Sequence, residues 1–363
     1  MSVLIVVGTR PEIIKMAPVV KRLEGAGIDF VFVHTGQHFD FEMSRVFIEE
    51  LGLPEPHVGF SLENSSPAAQ IGEMMIKLER AVANLGRRLS IMLVQGDTNS
   101  MLAAGLTAVK LGIKLGHVEA GLRSFDWRMP EEHNRRMIDH VSDMLFAPTE
   151  LARRNLLEEG VWGEVFVTGN TVIDAITMYL DKVKEVEAKV LEGVRFGEFG
   201  VVTFHRAENV DRLETLRDFV RVLQRSPIPL VFPVHPRTKR RLSEFGLWDV
   251  VGSIPHVQLL PPLGYFEFLA LMRNCRVVLT DSGGLQEEAT HPAIRKPVLV
   301  LRMSTERPEA VSAGFARVVG TNPVVVLAEL ERVLSGGVEL PDASPFGDGR
   351  AAERIVSIVK SKL

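Results

Sequence analysis

Val277-Val278-Leu279-Thr280-Asp281-Ser282-Gly283-Gly284-Leu285-Gln286-Glu287-Glu288-Ala289 passes from an apolar run, through a glycine pair, into helix-forming residues. Such a run, stopped by glycine and continued by Leu, Gln and Glu, reads as a strand turning into a helix. Two adjacent glycines let a backbone approach a ligand closely and take turns that a side chain forbids. The Ser282 hydroxyl and the free N–H groups of the helix start then point at one spot, which suits a phosphate or diphosphate. A plain strand-to-helix turn uses the same residues, so this stretch alone leaves both readings open.

The chain opens on the same plan. Val3–Val7 is fully apolar, as a central parallel strand requires, and ends at Gly8-Thr9-Arg10-Pro11-Glu12. Pro11 suits a first helical position, with Thr9 or Arg10 at the cap. Arg10 and Lys15 then lie near a helix start, where acidic residues are favoured. Two cations there point to an anion held between them, with ordinary surface charge as the alternative. Pro18 interrupts this helix early.

Between these ends, apolar runs alternate with longer helical patterns. The strand candidates are Val3–Val7, Phe30–His34, Ile91–Val94, Leu115–Val118, Met144–Ala147 and Val165–Thr168, then Val201–Phe204, Leu230–Val234, Val257–Leu260, Arg276–Leu279 and Val298–Leu301. This alternation predicts βαβ units in parallel sheets covered by helices on both faces, an α/β fold. A length of 363 residues predicts two domains. Asp181–Glu192 reads as a solvated helix joining them, which sets the boundary near residue 178. Pro341–Gly349 is a loop before a last amphipathic helix from Arg350. Ligands of open parallel sheets bind outside the carboxyl ends of the strands, so two such domains facing each other are expected to enclose a cleft.

Composition narrows the function classes. Hydrophobic residues make up 46%, and no apolar run reaches membrane-spanning length. The N-terminus enters a strand directly, without the pattern of a signal peptide. A single cysteine, Cys275, excludes an internal disulfide framework and a cysteine zinc cluster. The net charge of −4 argues against non-specific nucleic-acid binding. A soluble cytoplasmic protein with no membrane or nucleic-acid partner is expected.

Several polar residues follow strand candidates. Asp97 lies in Gln95-Gly96-Asp97-Thr98-Asn99, where helix capping is the competing use. His117-Val118-Glu119-Ala120-Gly121-Leu122-Arg123 ends another strand, with a Glu119–Arg123 ion pair as the competing use. Pro130-Glu131-Glu132 opens a helix, where first-turn acids are favourable in any case. His205-Arg206 and His235-Pro236-Arg237 end two further strands, and a structural role is the simpler reading for His235. Thr305–Glu309 adds Arg307. Phe266 and Phe268 suit base stacking or core packing. No HExxH motif and no compact His/acid cluster beyond His34 and His38 is present, so no metal is expected.

The order of these motifs resembles the non-hydrolysing UDP-N-acetylglucosamine 2-epimerases. The resemblance runs through Gly8–Glu12, Gly96-Asp97-Thr98, His117–Arg123, Pro130–Arg135 and Thr168-Gly169-Asn170-Thr171. It continues through His205-Arg206, Pro233-Val234-His235, Thr280–Ala289, Thr305–Ala310 and Pro345–Gly349, nearly the whole chain. It implies the GT-B fold, two Rossmann-like doubly wound domains facing a central cleft. Their extents are 1–178 and 179–349, with the helix 350–363 packing back on the first, in a homodimer. It implies interconversion of UDP-GlcNAc and UDP-ManNAc without a cofactor, through elimination of UDP to a 2-acetamidoglucal and re-addition. Asp97, Glu119, Glu131 and His205 are then catalytic. Arg10, Lys15, His205, Ser282, Gly283, Gly284 and Arg307 fall on the diphosphate side and Glu288 on the ribose, while Phe268 stays a substrate-binding candidate by its aromatic ring alone.

Three departures stand out. Met303-Ser304 replaces an Asp-Thr pair, Thr290–Arg295 is longer, and a Gln-x-x-Gln segment used for a regulatory UDP-GlcNAc keeps Gln37 but has Asp40 at its second place. Gln37 and His235 are the candidate regulatory residues. A UDP-sugar glycosyltransferase, an epimerase of a UDP-diacetamido sugar, and a nucleotide-sugar binder without turnover are the competing functions.

Overall fold

The computed structural model describes residues 2–36, 47–64 and 66–363. The chain divides into two compact units, Met1–Met178 with Phe346–Leu363, and Tyr179–Pro345.

The first unit is built on seven strands: β1 (Ser2–Val7), β2 (Phe30–His34), β3 (Val58–Gly59), β4 (Leu89–Gln95), β5 (Lys114–Val118), β6 (Met144–Ala147) and β7 (Glu164–Val167). Their order is β3-β2-β1-β4-β5-β6-β7, and every pair is parallel. Val3–Val7 is wholly buried because helices cover both faces of the sheet, which is why its apolar run is unbroken. The order reverses between β1 and β4, the switch point where such sheets bind ligands. Two-residue β3 lies at the sheet edge and has no apolar run to betray it in the sequence.

The helix Arg10–Gly25 continues through Pro18. A proline inside a helix costs about 3 kcal/mol or more. Full burial of Met16, Val19, Val20 and Leu23 on this helix offsets that cost. The final helix, Ala351–Lys362, packs against Arg10–Gly25, and its Ile355 and Val359 are buried. Asp174 accepts the N–H groups of Ala351 at 3.1 Å and Ala352 at 2.8 Å, capping that helix from a distant part of the chain.

The second unit holds β8 (Gly200–Thr203), β9 (Leu230–Pro233), β10 (Val257–Leu260), β11 (Val277–Thr280), β12 (Val298–Val300) and β13 (Ala316–Val318). Their order is β10-β9-β8-β11-β12-β13, again all parallel, with the switch point between β8 and β11. Phe204 and Phe219 stack at 4.1 Å in its core. Asp181–Glu192 is the second half of a helix, Thr171–Glu192, that carries the chain from one unit to the next. Cys275 is buried, and its thiol is pushed up to about 12 by burial, as an inert structural cysteine would be. Among the described residues, no helix is long and apolar enough to cross a membrane.

Candidate active site

Each switch point gathers polar residues. In the first unit, β1 ends at Gly8, where a Cβ would meet the hydroxyls of Thr35 and Ser100 at 2.3 Å. Only glycine lets the turn pass beside Thr35, after β2, and Ser100, in the first turn of the helix Asn99–Leu111. Thr9 caps the following helix, and Glu12 accepts from the N–H groups of Gly8 (2.6 Å) and Thr9 (2.8 Å). Thr98, after β4, donates to the other oxygen of Glu12 at 2.5 Å. Burial outweighs these bonds and pushes the Glu12 carboxyl up to about 7.

Asp97 is not the cap of the helix Asn99–Leu111. Thr98 is, accepting from Met101 N. Asp97 instead lies 2.5 Å from Arg135, and Asn134 donates to its backbone carbonyl at 3.0 Å. Glu119 follows β5, hydrogen-bonded neighbour of β4, and takes φ of 71°. A non-glycine residue in that left-handed region is strained. Its carboxylate is held by Lys15 at 2.5 Å and Gln95 at 2.8 Å. Arg123 therefore does not pair with Glu119 but reaches Asp139 at 2.8 Å and Glu159 at 2.6 Å.

Lys15 and Arg10 leave the helix in different directions. Residues five apart lie about 140° apart around a helix. Lys15 turns inward onto Glu119, while Arg10 is exposed with its guanidinium 4.5 Å from the Phe47 ring centre. Glu131 is half-buried in the first turn of the helix Pro130–Val141. Its neighbour Glu132 is the fully buried acid, bonded by Ser124 N–H and by Arg135 and Arg136. Burial pushes Glu132 up, but the Ser124 bonds and the Arg135 charge carry it below the usual carboxylate range.

In the second unit, His205 and Arg206 follow β8, and Asp281–Gly284 follow β11. Fully buried Asp281 accepts from the backbone N–H groups of His205 (2.9 Å) and Arg206 (2.8 Å) and from Asn209 (3.1 Å), which locks the two loops together. The His205 imidazole has Nδ1 3.2 Å from Asp281. Burial pulls His205 below its usual value, Asp281 opposes this, and the charges of Arg206, Arg237 and Arg302 add to it. Arg237 and Arg302 are each paired with carboxylates, Asp211 for the first and Glu208 and Glu306 for the second, while Arg206 lies 3.9 Å from Glu306.

Ser282 starts the helix Gly283–Glu288 without spending its hydroxyl on the cap. A Cβ at Gly283 would meet Glu306, whereas one at Gly284 would enter open space. Arg307 is buried against Glu287, so its charge is already matched there. Glu288 is buried at the end of the same helix. His235 caps the helix Pro236–Glu244, accepting from Arg237 N at 3.2 Å, and its ring lies 5.4 Å from that of His205. Phe266 packs in the core against Tyr179 at 5.6 Å, and Phe268 is half-buried. Gln37, Asp40 and His38 lie outside the described residues. Among the described residues, no cluster of three metal-ligating side chains occurs.

Sequence reasoning missed Arg135, Gln95, Glu12 and Asp281 as partners. Their types were visible, but nothing local says which carboxylate or loop each one meets.

A family model described as UDP-N-acetylglucosamine 2-epimerase matches residues 21–360. The UDP-N-acetylglucosamine 2-epimerase of Methanocaldococcus jannaschii is 42% identical over 367 residues, covering 99% of each chain. A crystal structure of the M. jannaschii UDP-GlcNAc 2-epimerase in complex with UDP-GlcNAc and UDP matches with a TM-score of 0.91, at 42% identity over 99% of this chain and 100% of that one. The UDP-2,3-diacetamido-2,3-dideoxy-D-glucuronate 2-epimerase of Pseudomonas aeruginosa is 36% identical over 98% of each chain.

Proposed function

Because this chain belongs to the UDP-N-acetylglucosamine 2-epimerase family, we propose that it interconverts UDP-GlcNAc and UDP-ManNAc by inverting C2. The observation that carries this reading is a family match over nearly the whole chain, with Asp97 and Glu119 at the ends of the neighbouring strands β4 and β5, the first of which borders the switch point.

The sugar C2–H is not beside a carbonyl, so its removal alone would leave an unstabilised carbanion. Breaking the C1–O bond to UDP makes C1 oxocarbenium-like and the C2 proton acidic. A carboxylate takes that proton, the C–H pair forms the C1=C2 bond of a 2-acetamidoglucal, and UDP leaves with the C1–O pair. Return of the proton to the opposite face and re-addition of UDP at C1 complete the inversion.

The first unit is assigned the proton transfers, through Asp97, Glu119 and Glu131. Lys15 moves from the diphosphate side to this group, as the ammonium that pairs with Glu119. The second unit is assigned the diphosphate, through His205, Arg206, Ser282, Gly283 and Gly284, and Arg10 keeps its assignment there. Glu288 is assigned to the ribose and Phe268 to the base. Buried Arg307 is assigned to hold Glu287 rather than the diphosphate.

The test is proton NMR of the protein with UDP-GlcNAc in deuterated water, without an acceptor. Deuterium at C2 of UDP-ManNAc is expected. Free UDP and ManNAc as main products would mean hydrolysis, and a strict need for an acceptor would mean a glycosyltransferase. Likeness to the P. aeruginosa enzyme favours a second reading, epimerisation of a UDP-diacetamido uronic acid. Comparing kcat/KM on the two UDP-sugars decides between them. With Asp40 standing at the second glutamine position, a weakened activator site at Gln37 is expected, with a prompt linear rate from UDP-ManNAc alone. A lag removed by a trace of UDP-GlcNAc would show that the site survives. A cytoplasmic homodimer completes the reading; sedimentation of the purified chain checks the dimer, and cell fractionation the location.

A further inference from the structure

His117 and Asp139 are fully buried, and the reaction as derived uses neither. His117 lies on β5, two residues before Glu119. Asp139 lies on the helix Pro130–Val141. His117 Nδ1 is 2.7 Å from Asp139 Oδ1, and Nε2 is 2.9 Å from the carbonyl oxygen of Gly96. A carbonyl can only accept, so Nε2 carries the hydrogen.

The other Asp139 oxygen accepts from Gly121 N–H at 3.2 Å and lies 2.8 Å from Arg123, whose far edge is held by Glu159. Gly96 is also tied by its own N–H, which donates to Val118 at 3.2 Å. Both backbone polar groups of the residue before Asp97 are thus fixed to the strand that carries Glu119. The turn after Glu119 is fixed to the same carboxylate.

We propose that Asp139 and His117 are positioning residues that set the spacing between Asp97 and Glu119. Asp139 orients the imidazole, the imidazole holds the Gly96 carbonyl, and Asp139 itself holds the Gly121 turn. Neither residue touches substrate. The proposal rests on the reading that Asp97 and Glu119 transfer protons. Glu119 at φ of 71° needs such a clamp, because a strained backbone persists only where its surroundings over-determine it.

The test uses the whole protein. In wild type, ¹⁵N–¹H imidazole spectra should show His117 Nε2 protonated and slow to exchange. His117→Gln, whose amide nitrogen falls near the Nε2 position, should keep kcat within a few-fold. His117→Asn, which keeps the Asp139 partner and loses the Gly96 donor, should lower kcat ten-fold or more. KM and UDP affinity should stay within about two-fold in both. If His117→Asn does not fold, Asp139→Asn is read the same way.

An unprotonated Nε2 would overturn the proposal. So would a folded His117→Asn with near-normal kcat, or kcat and UDP affinity lost together. Wild type with no turnover of either UDP-sugar would sink the functional reading instead, while the imidazole spectra would still judge the geometry.

Discussion

At the residue scale, Glu119 combines a strained backbone with a buried ion pair, and the two act on different measurements. Replacing Asp97 by Asn, or Glu119 or Glu131 by Gln, keeps size and removes charge. Turnover is expected to fall roughly 10²-fold or more in each, with UDP binding by calorimetry little changed. Near-normal rates in all three folded variants would defeat the assignment. Lys15→Met leaves the buried Glu119 carboxylate without its ammonium, which costs on the order of 3–5 kcal/mol in urea unfolding. Adding Glu119→Gln should recover a large part of that loss, since no charge is then stranded. Lys15 and Glu119 are 104 positions apart in sequence, which is why inspection of either motif does not reveal that they pair.

At the element scale, the first turn of the helix Arg10–Gly25 holds a carboxyl in an unfavourable state. Glu12 titrates about 7 in the fold, against 4.5 for an ordinary glutamate. Between these values the folded state binds the extra proton, so stability falls as pH rises from about 4.5 to 7 and is flat beyond. The loss is on the order of 3 kcal/mol. Glu12→Gln should flatten that slope, followed by urea midpoints across the range. An unchanged slope would show that Glu12 is not its source. The strand-to-helix alternation around such turns was legible because apolar periodicity and glycine are local signals. The competing uses that the sequence left open for Asp97 and Arg123 are taken by other residues. Thr98 takes the cap, and Asp139 and Glu159 take the guanidinium.

At the scale of the whole molecule, the chain returns at its end to the unit in which it began. Ile355, Val356 and Val359 are buried there, and Asp174 caps the final helix. Removing residues 351–363 uncovers that apolar face and strands Asp174. Each lost large side chain is worth about 1.5–3 kcal/mol, so the truncated chain is expected to melt well below the full one by calorimetry. An unchanged melting temperature would show that the helix adds nothing to the unit.

Alone, the sequence established the parallel α/β plan and the family, because both are written in local order: apolar runs, turn residues, and motifs in succession. It also placed Asp97, Glu119, His205 and the Ser282–Gly284 turn at strand ends, which follows from where each run stops. Tertiary structure alone decided the partners. Lys15 on Glu119, Arg135 on Asp97, Asp281 across the two loops and His117 on Gly96 are contacts between separate strand ends and helices. A charge or an imidazole names its chemistry in the sequence, but its partner is set by which elements the sheet order makes neighbours.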